Sequence, residues 1–376
     1  MARRAVAIDA KAARLADWLV RTALPGAAHP CDAFDATPLE QWLSSASTKT
    51  ALTPDGQSLF AGCAAAFIAT ARSLGQHEVP DTTPLLPRPV ATAPGAWSGF
   101  VPAGDQWLSI AISNDHERDT ALRCLNFQGV PGNDLDALRD CSVPATALAA
   151  TLQEWGIASF PASTLSGGIP RASLKPASLR TALLGAGLSV SRALAGARII
   201  DCGQLISAPW ASALLSLLGA DVIAVAHPAR ARNRHYGADP VRLDLATTAD
   251  RRRFAALCVG TDLVLDNFRP RHWSNLGIEP LELGARCHLS LPAFPRSDPR
   301  SNFKCYGFQL EALHAAGHVP AAESSTPVPA PPHGLLDHAA GFAGAVAAVA
   351  AIVGGGEGPK ELSHLSLLQQ IKGTPL

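Results

Sequence analysis

The chain has 376 residues, 47% of them hydrophobic and 16% charged, which is ample apolar matter for more than one core and too little charge for disorder. Lys plus Arg and Asp plus Glu number 31 each, so the formal net charge is +0. That balance disfavours nucleic acid or an anionic membrane as the main partner, because both are met by a basic surplus.

The N-terminus, Met1-Ala2-Arg3-Arg4, is basic but leads into a charged, alanine-rich stretch instead of an apolar run. No secretory leader is therefore expected, and the protein reads as cytoplasmic. Residues 5–21 carry Ile8, Ala12, Leu15, Trp18 and Leu19 at helical spacing. Residues 39–43 and 58–74 read as further helices, the second ending at Gly75. The prolines between Pro80 and Pro94 mark an extended connector. Residues 105–112 alternate as a strand, and Asn114 and Asp115 then cap a helix running to about Asn126. Leu148 to Ala158 reads as helix, Gly156 turn and strand. Residues 163–195, rich in Ser, Ala, Gly and Pro, form a linker.

A strand–helix–strand unit follows. The run Ala197-Arg198-Ile199-Ile200 stops at Asp201-Cys202-Gly203, a helix spans about Ala208 to Leu218, and Gly219-Ala220-Asp221 leads to Val222-Ile223-Ala224-Val225. Such a unit crosses over right-handedly to a parallel strand, with ligands held beyond the carboxyl ends, here around Asp201 to Pro209 and Ala226 to Arg232. The loop has no G-x-G-x-x-G series, so a dinucleotide is not the first choice. Ala339 to Val353 is almost wholly apolar but short of a span, and reads as a buried helix with no membrane role. The eight Cys are scattered without CxxC or a His cluster, and read as reduced buried thiols; no metal site is expected.

The stretch IIDCGQLISAPWASALLSLLGADVIAVAHP resembles the opening of family III CoA-transferases, the CaiB/BaiF family. Leu243-Asp244-Leu245, the block Thr261 to Pro270 (TDLVLDNFRP) and Leu276-Gly277 are similar to that family's later blocks, in the same order. The resemblance implies an α/β fold: a Rossmann-like doubly wound parallel sheet domain with a second, smaller α+β domain. Asp105 to Asp115 and Trp155 to Pro161 resemble strands of the smaller domain, which in usual members follow the CoA-binding half and here precede it. Residues 44–56 resemble the segment before the family's catalytic position, and a worn copy recurs at 312–332. The chain thus reads as a permuted or fused half-copy order: helices over 1–95 packing on the CoA domain, the smaller domain over 96–165, a linker over 166–195 and the CoA-binding domain over 196–376.

Leu335-Leu336-Asp337 through Gly341 is similar to the Leu-x-Asp-x-x-x-Gly that carries the family's nucleophilic aspartate, so Asp337 is the implied catalytic residue. Such a carboxylate attacks a CoA thioester, forming first an anhydride and then an aspartyl thioester. On the residues alone, Asp337 reads as a helix cap favouring the dipole. By the same resemblance Gln204, Leu205, Ser207, Arg230, Asn267, Phe268, Arg269 and Lys304 stand where CoA is touched, against the plainer reading of a loop held by its own side chains. A family Asn-x-x-Lys-x-Ser segment has no room between His235 and Arg242. The implied activity moves CoA between an acyl-CoA and a free carboxylic acid, with no permanently bound cofactor. The implied assembly is an intertwined homodimer. The rivals are a non-catalytic CoA-transferase-like subunit or scaffold, and an acyl-CoA racemase, whose His would fall at Phe308.

Overall fold

A computed structural model describes residues 10–23, 50–73, 96–104, 106–130, 135–138, 141–164, 193–229, 240–320, 326–330 and 335–372. The helix expected at 39–43, the connector at 80–94, most of the 163–195 linker and Arg230 lie outside them.

The chain begins with α1 (Ala10–Ala23), whose Ala12, Leu15 and Leu19 are buried as their spacing requires. Strand β1 (Thr50–Leu52) follows, then α2 (Pro54–Ser73), a few residues earlier than the apolar pattern suggested. Thr53 explains the early start: its Oγ1 accepts the Gly56 N–H at 3.1 Å, and Pro54 suits a first helical position. Gly62 lets α1 cross α2 closely, since a Cβ there would stand 2.8 Å from the Ala12 carbonyl oxygen.

Next comes an antiparallel sheet of β2 (Trp97–Ala103), β3 (Gln106–Ile112) and β4 (Ala158–Ala162). Helices α3 (Asp115–Phe127) and α4 (Ala145–Glu154) cover one face, burying Leu108, Ile110 and Ile112 against Leu125, Leu148 and Leu152. Asn114 caps α3 by accepting the Glu117 N–H at 2.9 Å, as its type and place predict.

The second half builds the parallel sheet from β5 (Arg198–Asp201), β6 (Asp221–Ala226), β7 (Val241–Arg242), β8 (Leu263–Asp266), β9 (Cys287–Ser290) and, after two short strands, β12 (Gly358–Glu361). The order across it is β12-β9-β8-β5-β6-β7, every neighbouring pair parallel. The chain enters at β5 in the middle, winds outward to β7, then returns to β8 and winds the other way. That reversal is the doubly wound pattern, and it puts a topological switch point between β5 and β8. Residues alternate between two covered faces, Ile199, Leu263 and Leu265 on one, Ile200 and Val264 on the other. The first face is covered by α5 (Ser207–Leu217) and α9 (Leu335–Val353), the second by α6 (Thr248–Cys258) and α7 (Arg271–Leu276).

Helix α9 is the core rod of the molecule. Phe342 meets Phe60 and Trp210 edge-on, each with ring centroids 5.6 Å apart. Its apolar run is thus explained by burial on all sides, as the sequence suggested. Short α8 (Gly307–Leu313) and terminal α10 (His364–Lys372) pack beside it. The two halves interleave: β10 (His318–Pro320) pairs with β1, and β11 (Val328–Pro329) forms an edge of the antiparallel sheet beside β2.

Later elements also differ from what the resemblance implies. By the family resemblance Leu243-Asp244-Leu245 and Leu289 to Phe294 would be strands; the observed strands are β7, which ends at Arg242, and β9, which ends at Ser290. Leu362 to Leu368 resembles a strand of the family, but the stretch forms a helix, α10. Ser363 Oγ accepts the Ser366 N–H at 3.1 Å, and this N-cap turns the chain into the helix that buries Leu365, Leu368 and Ile371.

Candidate active site

Two loops meet at the switch point. After β5, Asp201 Oδ1 accepts the Gly203 N–H at 2.7 Å, bending the chain sharply. Gly203 has no room for a side chain, because a Cβ would stand 2.3 Å from that of Ala208. Leu205, at φ +61° and 46% exposed, is then thrust outward before α5 begins.

After β8, Asn267 stitches this loop to its own. Its Oδ1 accepts the Gln204 N–H at 2.8 Å, and its Nδ2 donates to the Gln204 carbonyl at 2.6 Å and to Ser207 Oγ at 3.0 Å. Both amide protons are used within the protein, so the side chain shapes the loop before it offers anything to a ligand. Below Asn267, buried Asp266 accepts four bonds: Phe268 N–H at 2.9 Å, Ser290 Oγ at 2.8 Å, Trp273 Nε1 at 2.6 Å and His288 Nε2 at 2.5 Å. Burial alone would raise its carboxyl, but the His288 bond and charge, with Trp273 and Phe268, hold it below the usual carboxylate value. Asp201 has fewer donors. Burial raises it to about 7, against the pull of the Gly203 N–H and with Asp266 adding repulsion.

A cleft of about 240 Å³ opens beside these loops, and its walls include Gln204, Leu205, Ser207, Asn267, Phe268, Arg269, Lys304 and Asp337. The structure therefore gathers every described residue marked in the sequence; only Arg230 is outside the described set. Lys304 is engaged: its Nζ lies 2.7 Å from Glu117 Oε1, and the Gln153 side chain bonds both its backbone N–H and carbonyl. Arg269 donates from Nη1 to the Asn302 carbonyl at 3.1 Å. A neighbouring apolar cleft of about 300 Å³ shares Gln204, Phe268 and His272 and runs past Val225, Leu243 and Leu276.

Asp337 sits in the first turn of α9, facing Gly307. A Cβ on Gly307 would stand 2.7 Å from the Asp337 carboxyl carbon, so glycine leaves that carboxylate its room. Asp337 does not act as the sole anchor of the helix start, since Glu311 Oε1 accepts the Leu336 N–H at 2.8 Å. Instead its Oδ1 lies 3.2 Å from Nε2 of His364. His364 was not marked in the sequence. Its signal was the Ser cap followed by Leu365, Leu368 and Ile371 at helical spacing, which puts His364 at a helix start. Cys305 lines the same wall, but burial and the charge of Asp337 push its thiol well up, away from the thiolate. Phe308, where a racemase histidine would fall, is buried edge-on against Phe100 at 5.6 Å.

Residues 194–370 match the model of CoA-transferase family III. This part of the chain resembles that family. Among solved structures, a hypothetical protein from Mycobacterium tuberculosis is 25% identical over a match covering 48% of this chain and 56% of that one, with a TM-score of 0.42. A CaiB/BaiF family protein from Brucella suis is 18% identical, covering 48% of this chain and 54% of that one, with a TM-score of 0.41. The chain thus spans little more than half the length of these relatives. No curated protein matches it in sequence.

Proposed function

We propose that this CoA-transferase family protein moves CoA between an acyl-CoA thioester and a free carboxylic acid, with Asp337 as the nucleophile. The supporting observation is the position of the Asp337 carboxylate: it faces the cleft formed by the two switch-point loops, beside a glycine that leaves it uncovered. In such a sheet the switch point is where a ligand settles.

An Asp337 oxygen attacks the thioester carbonyl, the C–S bond breaks and CoA departs as thiolate, leaving a mixed anhydride. The thiolate attacks the aspartyl carbon and releases the first carboxylate, giving an aspartyl thioester. An acceptor carboxylate attacks the same carbon and frees the thiolate. The thiolate then attacks the new anhydride at the acceptor's carbonyl, and Asp337 is regenerated. Each step exchanges one good leaving group for another, which is what makes a carboxylate a useful nucleophile here. On this reading the adenine ring of CoA lies in the apolar cleft lined by Val225, Leu243 and Leu276, with the thiol end directed past Gln204 and Phe268 toward Asp337. Racemisation fits less well, since Phe308 offers no base.

The test is exchange of labelled CoA between a panel of acyl-CoA thioesters and free acids. Asp337→Ala should lose on the order of a thousandfold or more in kcat while CoA affinity stays within about twofold, because the group removed acts on the thioester and not on the nucleotide. Unchanged turnover in that variant would remove the assignment.

A further inference from the structure

The His364 ring lies between two acceptors. Nδ1 is 2.9 Å from the Pro292 carbonyl oxygen, and Nε2 is 3.2 Å from Asp337 Oδ1. A carbonyl oxygen only accepts, so Nδ1 carries a proton. A neutral imidazole has no second N–H, and its Nε2 lone pair would then face a carboxylate oxygen. The ring is only 6% exposed, so water is poorly placed to relieve that contact. One further proton resolves it, held between Nε2 and Oδ1. With that proton on the ring, both nitrogens donate and Asp337 is an anion, the arrangement that charge assistance favours. The backbone holds the ring in place, since the His364 N–H also donates to the Pro292 carbonyl at 2.9 Å.

We propose that His364, as the imidazolium, is a second catalytic residue of this site, a reading that rests on Asp337 being the nucleophile. In the resting site it keeps Asp337 ionised, with Oδ2 left to attack. Oδ2 becomes the bridging oxygen of the anhydride and leaves with the first carboxylate. Oδ1 stays on the aspartyl carbon as its carbonyl oxygen, still against the Nε2 proton. When thiolate or acceptor carboxylate attacks that carbon, the C=O electron pair moves onto Oδ1, and His364 donates to the oxyanion so formed. The pair returns to re-form C=O as the leaving group departs, and the proton never quits the ring. His364 is therefore a preorganised oxyanion donor. It is not a general base, because neither ring nitrogen is free to take a proton from water or from an acyl α-carbon.

The experiment compares His364→Ala and His364→Gln in CoA exchange, with 15N-histidine NMR of the unmodified chain and of Asp337→Asn. His364→Ala should lose on the order of a hundred- to a thousandfold in kcat, with KM for acyl-CoA within about twofold. His364→Gln, whose amide N–H reaches toward Oδ1, should regain at least about tenfold of that loss. A packing role would show no such rescue. Both ring nitrogens of His364 should show bonded protons, and Nε2 should lose its proton in Asp337→Asn, whose amide can donate to it. A full rate in His364→Ala, a loss confined to KM, a glutamine variant no better than alanine, or a neutral ring in the unmodified chain overturns the proposal. Asp337→Ala separates the two levels: if it still turns over, the functional reading falls. If it is inactive while His364→Ala runs at full rate, only the role of His364 falls.

Discussion

Asp201 and Asp266 end neighbouring strands beneath the two site loops and are treated in opposite ways. Asp201 keeps its proton to about pH 7, where an unfolded Asp releases it near 4. Between those values the folded chain binds more protons than the unfolded one, so this residue makes stability fall as pH rises. The penalty is absent below about 4 and complete above about 7. Asp201→Asn keeps an acceptor for the Gly203 N–H and never charges. It should therefore unfold about 2–4 kcal/mol later than the natural chain at pH 8 and nearly with it at pH 4, measured by denaturant titration. The same difference at both pH values would contradict the account. Asp266 is held by four donors, and truncation leaves His288 and Trp273 unpaired inside the sheet. Asp266→Ala should cost about 3–5 kcal/mol and raise KM for acyl-CoA as the Asn267 loop loosens; a stable variant with unchanged KM would show that the network is idle. Asp337 stands out in the sequence as a candidate because its neighbours Leu335 and Gly341 carry a motif. His364 does not, because its meaning comes from meeting Asp337 across two helices, which no local pattern encodes.

Elements were read best where local chemistry and tertiary packing agree. The cap at Asn114, the β5–α5–β6 unit and buried α9 each follow from spacing and turn residues in a short window. Strand β2 carries a weak local signal, since Gly99 and Pro102 are residues that ordinarily interrupt strands. Gly99 is needed there, since a Cβ would stand 2.2 Å from the Val328 carbonyl oxygen of the neighbouring strand. The α10 stretch resembles a family strand, yet Leu365, Leu368 and Ile371 stand at helical spacing and are buried as a helix. Two substitutions test what these elements do for the site. Ser363→Ala removes the α10 cap and should cost about 1 kcal/mol in stability; a larger fall in kcat than in stability would follow if His364 shifts with the helix start. Gly307→Ala drives a methyl into the Asp337 carboxyl and should lower kcat on the order of a hundredfold, with thermal unfolding little changed. Full activity in Gly307→Ala would mean that Asp337 does not need that open face.

At the scale of the whole molecule, the N-terminal helices complete the core of the parallel sheet's own half. Phe67 lies 5.9 Å from Phe342, and Trp18 packs on the same cluster. The apolar faces that called for a partner are thus covered within the chain. Among the described residues, Phe127 and Trp155 form one exposed aromatic pair, 78% and 43% exposed, at the ends of α3 and α4. The division into a helical segment, a smaller domain, a linker and a CoA-binding domain is kept as a proposal, as is the homodimer. Light scattering at micromolar concentration should give twice the chain mass, with thermal unfolding that depends on concentration; a monomer with concentration-independent unfolding would end that proposal. The interleaving of the halves through β1 with β10 and β2 with β11 was only hinted at in the sequence, by the worn likeness of 44–56 and 312–332.

The central claim, that Asp337 becomes covalently acylated or thioesterified, is tested most directly by trapping. The chain is incubated with an acyl-CoA that supports exchange, treated with hydroxylamine, digested and analysed by mass spectrometry. The account predicts a hydroxamate on Asp337, dependent on acyl-CoA and lost in Asp337→Ala. An unmodified Asp337 in a chain that is turning over, or a label on another carboxylate, would contradict it.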